Sequence, residues 1–129
     1  MTQEDKQLLL SDLCARLPYG VKAKVYGWDE EKGDVEVSLR VYSVNTDGYV
    51  YFETNDYDVD HLAVDACLLY LRPMSSMTDE EAIEFSNMEI VGYNNYDWLN
   101  ARHFDYRGLI EKGLALEAPD DMYGKEEQR

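Results

Sequence analysis

Residues that carry chemistry are scarce in this sequence. Its 129 residues include two cysteines, two histidines and three prolines. Structural zinc sites bring ligands in close pairs such as C-x2–4-C. Cys14, Cys67, His61 and His103 offer no such pair, so no metal centre is expected. The glycines are single and scattered, which excludes a glycine-rich phosphate loop. No nucleophile elbow or other local catalytic signature is present. The sequence therefore calls for no cofactor, and a non-enzymatic role is preferred over an enzyme.

Long apolar runs are missing too. None approaches the roughly 18 residues that mark a membrane-spanning helix. The chain begins Met-Thr-Gln-Glu-Asp-Lys, without the basic start and apolar core of a signal peptide. A cytoplasmic protein is expected. In such a compartment Cys14 and Cys67, each with apolar neighbours, read as buried free thiols before they read as a disulfide.

Positive charge is the other shortage. Twelve lysines and arginines face 27 acidic residues, a formal net charge of −15. The excess is spread evenly: 6 basic and 14 acidic groups in residues 1–65, 6 and 13 in residues 66–129. A field of this sign repels phosphate backbones and acidic membranes, so neither nucleic acid nor a membrane is an expected partner.

What is present suits one globular domain. Hydrophobic residues make up 45% and charged residues 30%, and a chain of this length buries enough surface to fold without staples. Leu9, Leu13 and Leu17 recur at helical spacing over residues 3–17, with Leu10 and Cys14 in the neighbouring row. Thr2 and Asp5 have capping-box spacing, and Pro18 ends the segment. Residues 21–54 change to period two. Val21, Ala23 and Val25 oppose Lys22, Lys24 and Tyr26. Val35, Val37, Leu39 and Val41 oppose Glu36, Ser38, Arg40 and Tyr42. Val50 and Phe52 oppose Tyr49, Tyr51 and Glu53. Turn residues separate these runs, giving an antiparallel meander with one buried face.

Ala66–Leu71 reads as a further strand, stopped by Pro73. Such a small sheet must be covered by the first helix or must curl into a barrel. The spacing of short strands and tight turns suits an SH3-like barrel. Thr78–Glu81 is a capping box ahead of Ala82, Ile83 and Phe85. The stretch Asn87–Asn95 reads as helix or strand. A helix is expected over Tyr96–His103, and Asp105 is placed to cap a last short helix through Lys112. Residues 119–129 read as a polar, frayed tail, leaving residues 1–118 as one compact domain. The acidic run Asp56–Asp60 has the opening of a calcium loop. It carries His61 where that loop needs glycine and Cys67 where it needs glutamate, so it reads as a solvated loop.

Three stretches, 8–22, 71–78 and 103–115, resemble a group of short bacterial proteins of unknown function from gut anaerobes and their mobile elements. They run Leu8-Leu9-Leu10-Ser11-Asp12-Leu13-Cys14-Ala15-Arg16-Leu17-Pro18-Tyr19-Gly20-Val21-Lys22, Leu71-Arg72-Pro73-Met74-Ser75-Ser76-Met77-Thr78, and His103 to Ala115. Together they cover under a third of the chain. The resemblance implies a complete small bacterial protein and brings no activity with it.

The candidate binding residues lie on the outward side of the meander. Lys22, Lys24 and Arg40 share it with Tyr26, Tyr42, Tyr49 and Tyr51, a mixture of cations and aromatics typical of binding surfaces. The same residues also suit an ordinary sheet surface. Arg107, among Phe104, Asp105 and Tyr106, could clamp an acidic group of a partner, or the segment could simply pack. The expected architecture is α+β: an N-terminal helix, a four- to five-stranded antiparallel sheet curled toward an SH3-like barrel, and short C-terminal helices. The expected function is a protein-interaction or adaptor module. The alternatives are an acidic DNA mimic that inhibits a nucleic-acid-binding protein, and a small-molecule binder or enzyme.

Overall fold

A computed structural model describes residues 2–57, 59–90 and 95–123. Asp58 of the acidic run, residues 91–94 of the ambiguous stretch and residues 124–129 of the expected tail lie outside the described residues.

The first helix, α1, spans Gln3–Arg16, with the Thr2 hydroxyl accepting the Asp5 N–H at 3.0 Å. Glu4 and Asp5 occupy its first turn and Arg16 its last, in keeping with the helix dipole. Its buried stripe is Leu9, Asp12, Leu13 and Arg16. This corrects the expected row. Leu9 and Leu13 are core residues, but the places beside them go to a charged pair, and Cys14 faces outward. A 3-10 turn at Leu17–Tyr19 ends the segment at Gly20, whose φ of 72° is the left-handed conformation glycine tolerates. The Arg40 guanidinium packs against Gly20 and leaves no room for a Cβ.

The sheet follows as β1 (Lys22–Asp29), β2 (Gly33–Val44), β3 (Tyr49–Phe52), β4 (His61–Ala63), β5 (Leu68–Leu71) and, near the end of the described chain, β6 (Ala115–Glu117). Its order is β4-β3-β2-β1-β5-β6. All pairs are antiparallel except β5–β6, which is parallel. The architecture is thus α+β with an N-terminal helix, and six strands stand where four or five were expected. The sheet is open, with β4 and β6 at its edges.

It is nevertheless strongly curved. Three strands lie between β4 and β5 in the sheet, yet only residues 64–67 connect them, most of them in a 3-10 turn. A flat sheet would place the two strands roughly 19 Å apart, at about 4.8 Å per spacing. A 3-10 turn advances only about 2 Å per residue. A bulge in β2 between Val41 and Ser43 helps the bend. The concave face carries Val21, Ala23, Val25, Leu39, Val41, Val50, Phe52, Leu69 and Leu71, and Leu9 and Leu13 of α1 join the same core.

Past Pro73 come α2 (Asp79–Ile90) and α3 (Tyr96–Ala101). The capping box is formed as expected: the Thr78 hydroxyl accepts the Glu81 N–H at 3.1 Å, and the Glu81 carboxylate accepts the Thr78 N–H at 3.0 Å. Arg72, just after β5, grips the same carboxylate with two bonds of 2.7 and 2.9 Å. Trp98 and Leu99 of α3 pack with Phe104 in a second, smaller core.

The expected last helix does not form. The Asp105 carboxylate accepts the Leu109 and Ile110 N–H groups at 2.8 and 2.9 Å, as a cap would. Gly108, at φ 75°, breaks the helical path and the chain makes turns instead. The start of the expected tail is also anchored. Tyr123 is buried, and its hydroxyl accepts the Lys22 N–H and donates to the Tyr70 carbonyl, both at 2.8 Å. The ring brings enough apolar area to hold a segment that its polar neighbours made look loose.

Candidate functional site

Strand alternation places the candidate residues. In the β1–β2 pair Lys22 stands opposite Arg40, Lys24 opposite Ser38, Tyr26 opposite Glu36 and Trp28 opposite Asp34, all on the convex side. Their neighbours Ala23, Val25 and Leu39 fill the core on the other side. The most exposed large side chains on this ribbon are Tyr26 at 63% and Trp28 at 64%.

The cations beside them are already engaged. Lys24 Nζ lies 2.6 Å from Glu36 Oε1 and 5.4 Å from the centre of the Tyr26 ring. The Tyr26 hydroxyl reaches the same carboxylate at 3.4 Å. Hydrogen bonding to Glu36 raises the Lys24 pKa, and the reverse bond lowers that of Glu36. Lys24 and Glu36 thus both engage Tyr26, one at its ring and one at its hydroxyl. Lys22 Nζ donates to the Met122 carbonyl at 3.3 Å, and Arg40 sits against Gly20 with its Nε 3.9 Å from Glu53.

Tyr42, Tyr49 and Tyr51 form a second group with His61, which the sequence offers as a metal-ligand candidate and not as a member of the binding face. Tyr51 stacks on His61 at 5.2 Å, Tyr49 meets His61 edge-on at 5.7 Å, and Tyr42 meets Tyr51 at 6.5 Å. Tyr42 and Tyr49 keep 55% and 42% of their surface exposed.

Arg107 is not part of either group. It donates to Asp12 Oδ1 at 2.8 Å and lies 4.6 Å from the Tyr106 ring. Asp12 is fully buried and also holds Arg16, at 2.8 and 3.0 Å, while Arg16 donates to the Phe104 carbonyl at 2.6 Å. Arg107 therefore completes an internal ion cluster and is not a free clamp for a partner. Two charges on α1 cannot be buried without such partners.

Trp28 is the residue that sequence reasoning passed over. The period-two reading of the first strand stops at Tyr26 and the turn signal begins only at Asp29, so Gly27 and Trp28 fall between the two, whereas β1 runs on through them to Asp29. Trp28 shares parity with Lys22, Lys24 and Tyr26, which is the signal that could have found it.

Two groups have strongly moved proton affinities, and both are structural. Burial, aided by the Asp65 charge, pushes the Cys67 thiol up to about 12. Burial, then the Arg16 charge, pushes the His103 imidazole down to about 3. Neither side chain is open to a substrate, so these shifts report packing. Among the described residues no group of three or more His, Cys, Asp or Glu is placed to hold a metal ion, and no helix is long and apolar enough to cross a membrane. No protein family, curated protein or solved structure matches the chain.

Proposed function

We propose that the protein is a non-enzymatic interaction module whose partner, another protein, docks on the convex face of the β1–β2 ribbon. The observation that carries this reading is the pairing of Tyr26 and Trp28. They are large, adjacent on one strand face and nearly two-thirds exposed, and Tyr26 is engaged by Lys24 and Glu36. Aromatic residues in this state supply contact area at low entropic cost and are the commonest energetic anchors of interfaces. On the inward side Val25 is a core residue and Val37 packs against the core, which anchors the ribbon up to Tyr26. The strand order β4-β3-β2-β1-β5, the long bent β2 and the 3-10 turn between β4 and β5 support reading this scaffold as a curled, SH3-like sheet extended by β6.

The test is site-specific photo-crosslinking in living cells. A benzophenone side chain at position 26 or 28 is expected to capture one protein reproducibly. The same group at Ile83 on α2, which is 64% exposed, serves as the control and is expected not to. Equal capture from all three positions, or none from 26 and 28, would overturn the reading.

A further inference from the structure

We infer that the partner enters as an extended, basic polypeptide segment that adds to the open edge of β1 beside Tyr26 and Trp28. This inference rests on the interaction role proposed above and names the chemistry of the partner.

The edge is defined by hydrogen-bond parity. The Val41 N–H donates to the Val21 carbonyl at 3.0 Å. Odd-numbered residues of β1 therefore turn their main-chain groups toward β2, and even-numbered residues turn theirs toward β5. Lys22 is met on that side by the Tyr123 hydroxyl, and Lys24 pairs with Leu68. There the pairing stops, although β1 continues to Asp29. Cys67 precedes β5 and leads back into the 3-10 turn at Val64–Ala66, which leaves the line of the strand. Among the described residues no hydrogen bond reaches the main-chain N–H or C=O of Tyr26 or Trp28 from the β5 side. Four aligned main-chain groups are left without a strand.

Natural proteins protect such edges with proline, lysine, bulges or a covering loop. Here Tyr57 of the β3–β4 connection packs on Gly27, Lys24 is tied to Glu36, and two exposed aromatic side chains flank the stretch on its convex side. An added strand would satisfy the four groups and place alternate side chains against Tyr26 and Trp28, which is how β-augmentation divides affinity from specificity.

Charge decides what kind of strand fits. The hairpin end carries Asp29, Glu30, Glu31 and Asp34 against Lys32. Asp56, from the β3–β4 connection, lines the same cleft of about 780 Å³ as Trp28, Asp29, Glu30 and Glu31. Lys24 adds no free positive charge, being paired to Glu36. A basic segment is drawn to this end of the strand. A second copy of this chain, with the same acidic hairpin and a net charge of −15, is repelled by it.

The experiment uses the full chain, labelled with nitrogen-15, and a short peptide alternating lysine and valine. Its counterpart alternates glutamate and valine. The lysine peptide is expected to slow hydrogen exchange of the Tyr26 and Trp28 amides at least tenfold. The Gly27 amide, already turned toward β2, is expected not to change. The double variant Glu30→Lys with Glu31→Lys is expected to weaken binding at least tenfold without unfolding the protein. Binding of the lysine peptide without protection of those two amides would overturn strand addition. Equal protection by the glutamate peptide would overturn the basic partner, and no binding at millimolar peptide would overturn both. The underlying docking role fails separately, by loss of the position-specific crosslinks at residues 26 and 28.

Discussion

The ring of Tyr123 lies on the imidazole of His103, with centroids 3.9 Å apart and planes inclined by 27°. His103 is fully buried and adopts a left-handed φ of 61°. Its Nε2 meets the Tyr19 carbonyl at 3.0 Å. A carbonyl only accepts, so Nε2 carries the proton and the buried Nδ1, which has no partner among the described residues, is bare.

This imidazole makes the fold sensitive to acid. Its folded pKa of about 3 lies below the ordinary 6.5, so the unfolded chain takes up the proton first as pH falls. The stabilisation is complete above pH 6.5 and is lost progressively between 6.5 and 3. From this group alone the protein is expected to be about 2 kcal/mol less stable at pH 5 than at pH 7. Urea unfolding at the two pH values measures it. His103→Asn keeps a residue tolerant of the left-handed backbone, and it is expected to flatten this part of the profile.

The Tyr123 hydroxyl replaces a rung of the β1–β5 ladder, because Lys22 and Tyr70 are the next residues in register after Ala23–Leu69. Tyr123→Phe keeps the ring and strands both main-chain groups. A loss of roughly 1–3 kcal/mol is expected, together with faster hydrogen exchange at the Lys22 amide. An unchanged melting temperature would mean that water takes over both bonds.

The cluster of Asp12, Arg16 and Arg107 sets an order of effects. Asp12→Ala leaves Arg16 buried without its counter-ion and is expected to cost roughly 3–5 kcal/mol. Arg107→Ala removes a partly exposed donor while Asp12 keeps Arg16, so a smaller loss, about 1–2 kcal/mol, is expected. Denaturant titrations rank the two. Crosslinking from position 28 is expected to survive Arg107→Ala.

The two thiols are expected to differ in reactivity. Cys14 is exposed and Cys67 is buried with its thiol held at about 12. A thiol reagent at pH 8 should modify one group quickly and the second only in denaturant. Rapid modification of both in the native protein would place Cys67 in a segment that opens.

The strands and α1 could be read from the sequence because their alternation and spacing are local. The outward positions of Lys22, Lys24, Tyr26, Arg40, Tyr42, Tyr49 and Tyr51 followed from the same alternation. Residues that depend on distant partners could not be read in this way. Asp12 and Arg16 look like solvent-facing positions of α1 until Arg107 and Phe104 arrive to pair with them, and their burial turns Cys14 outward. β6 has only three residues and pairs in parallel with a strand far from it in sequence, so no local pattern announces it. Gly108 was visible, but not that it would adopt a left-handed conformation in the middle of an expected helix.

The Tyr123 bond also has a consequence for synthesis. Lys22 and Tyr123 are 101 residues apart, and Asp12 waits 95 residues for Arg107. A ribosome adding 5–20 residues per second spends roughly 5–20 s between Lys22 and Tyr123. During that interval the nascent β1 edge has its rung unfilled and the buried ion cluster lacks a member. The domain is therefore completed from its far end, after Tyr123 has cleared the exit tunnel, and the half-made chain is the state most exposed to chaperones and proteases.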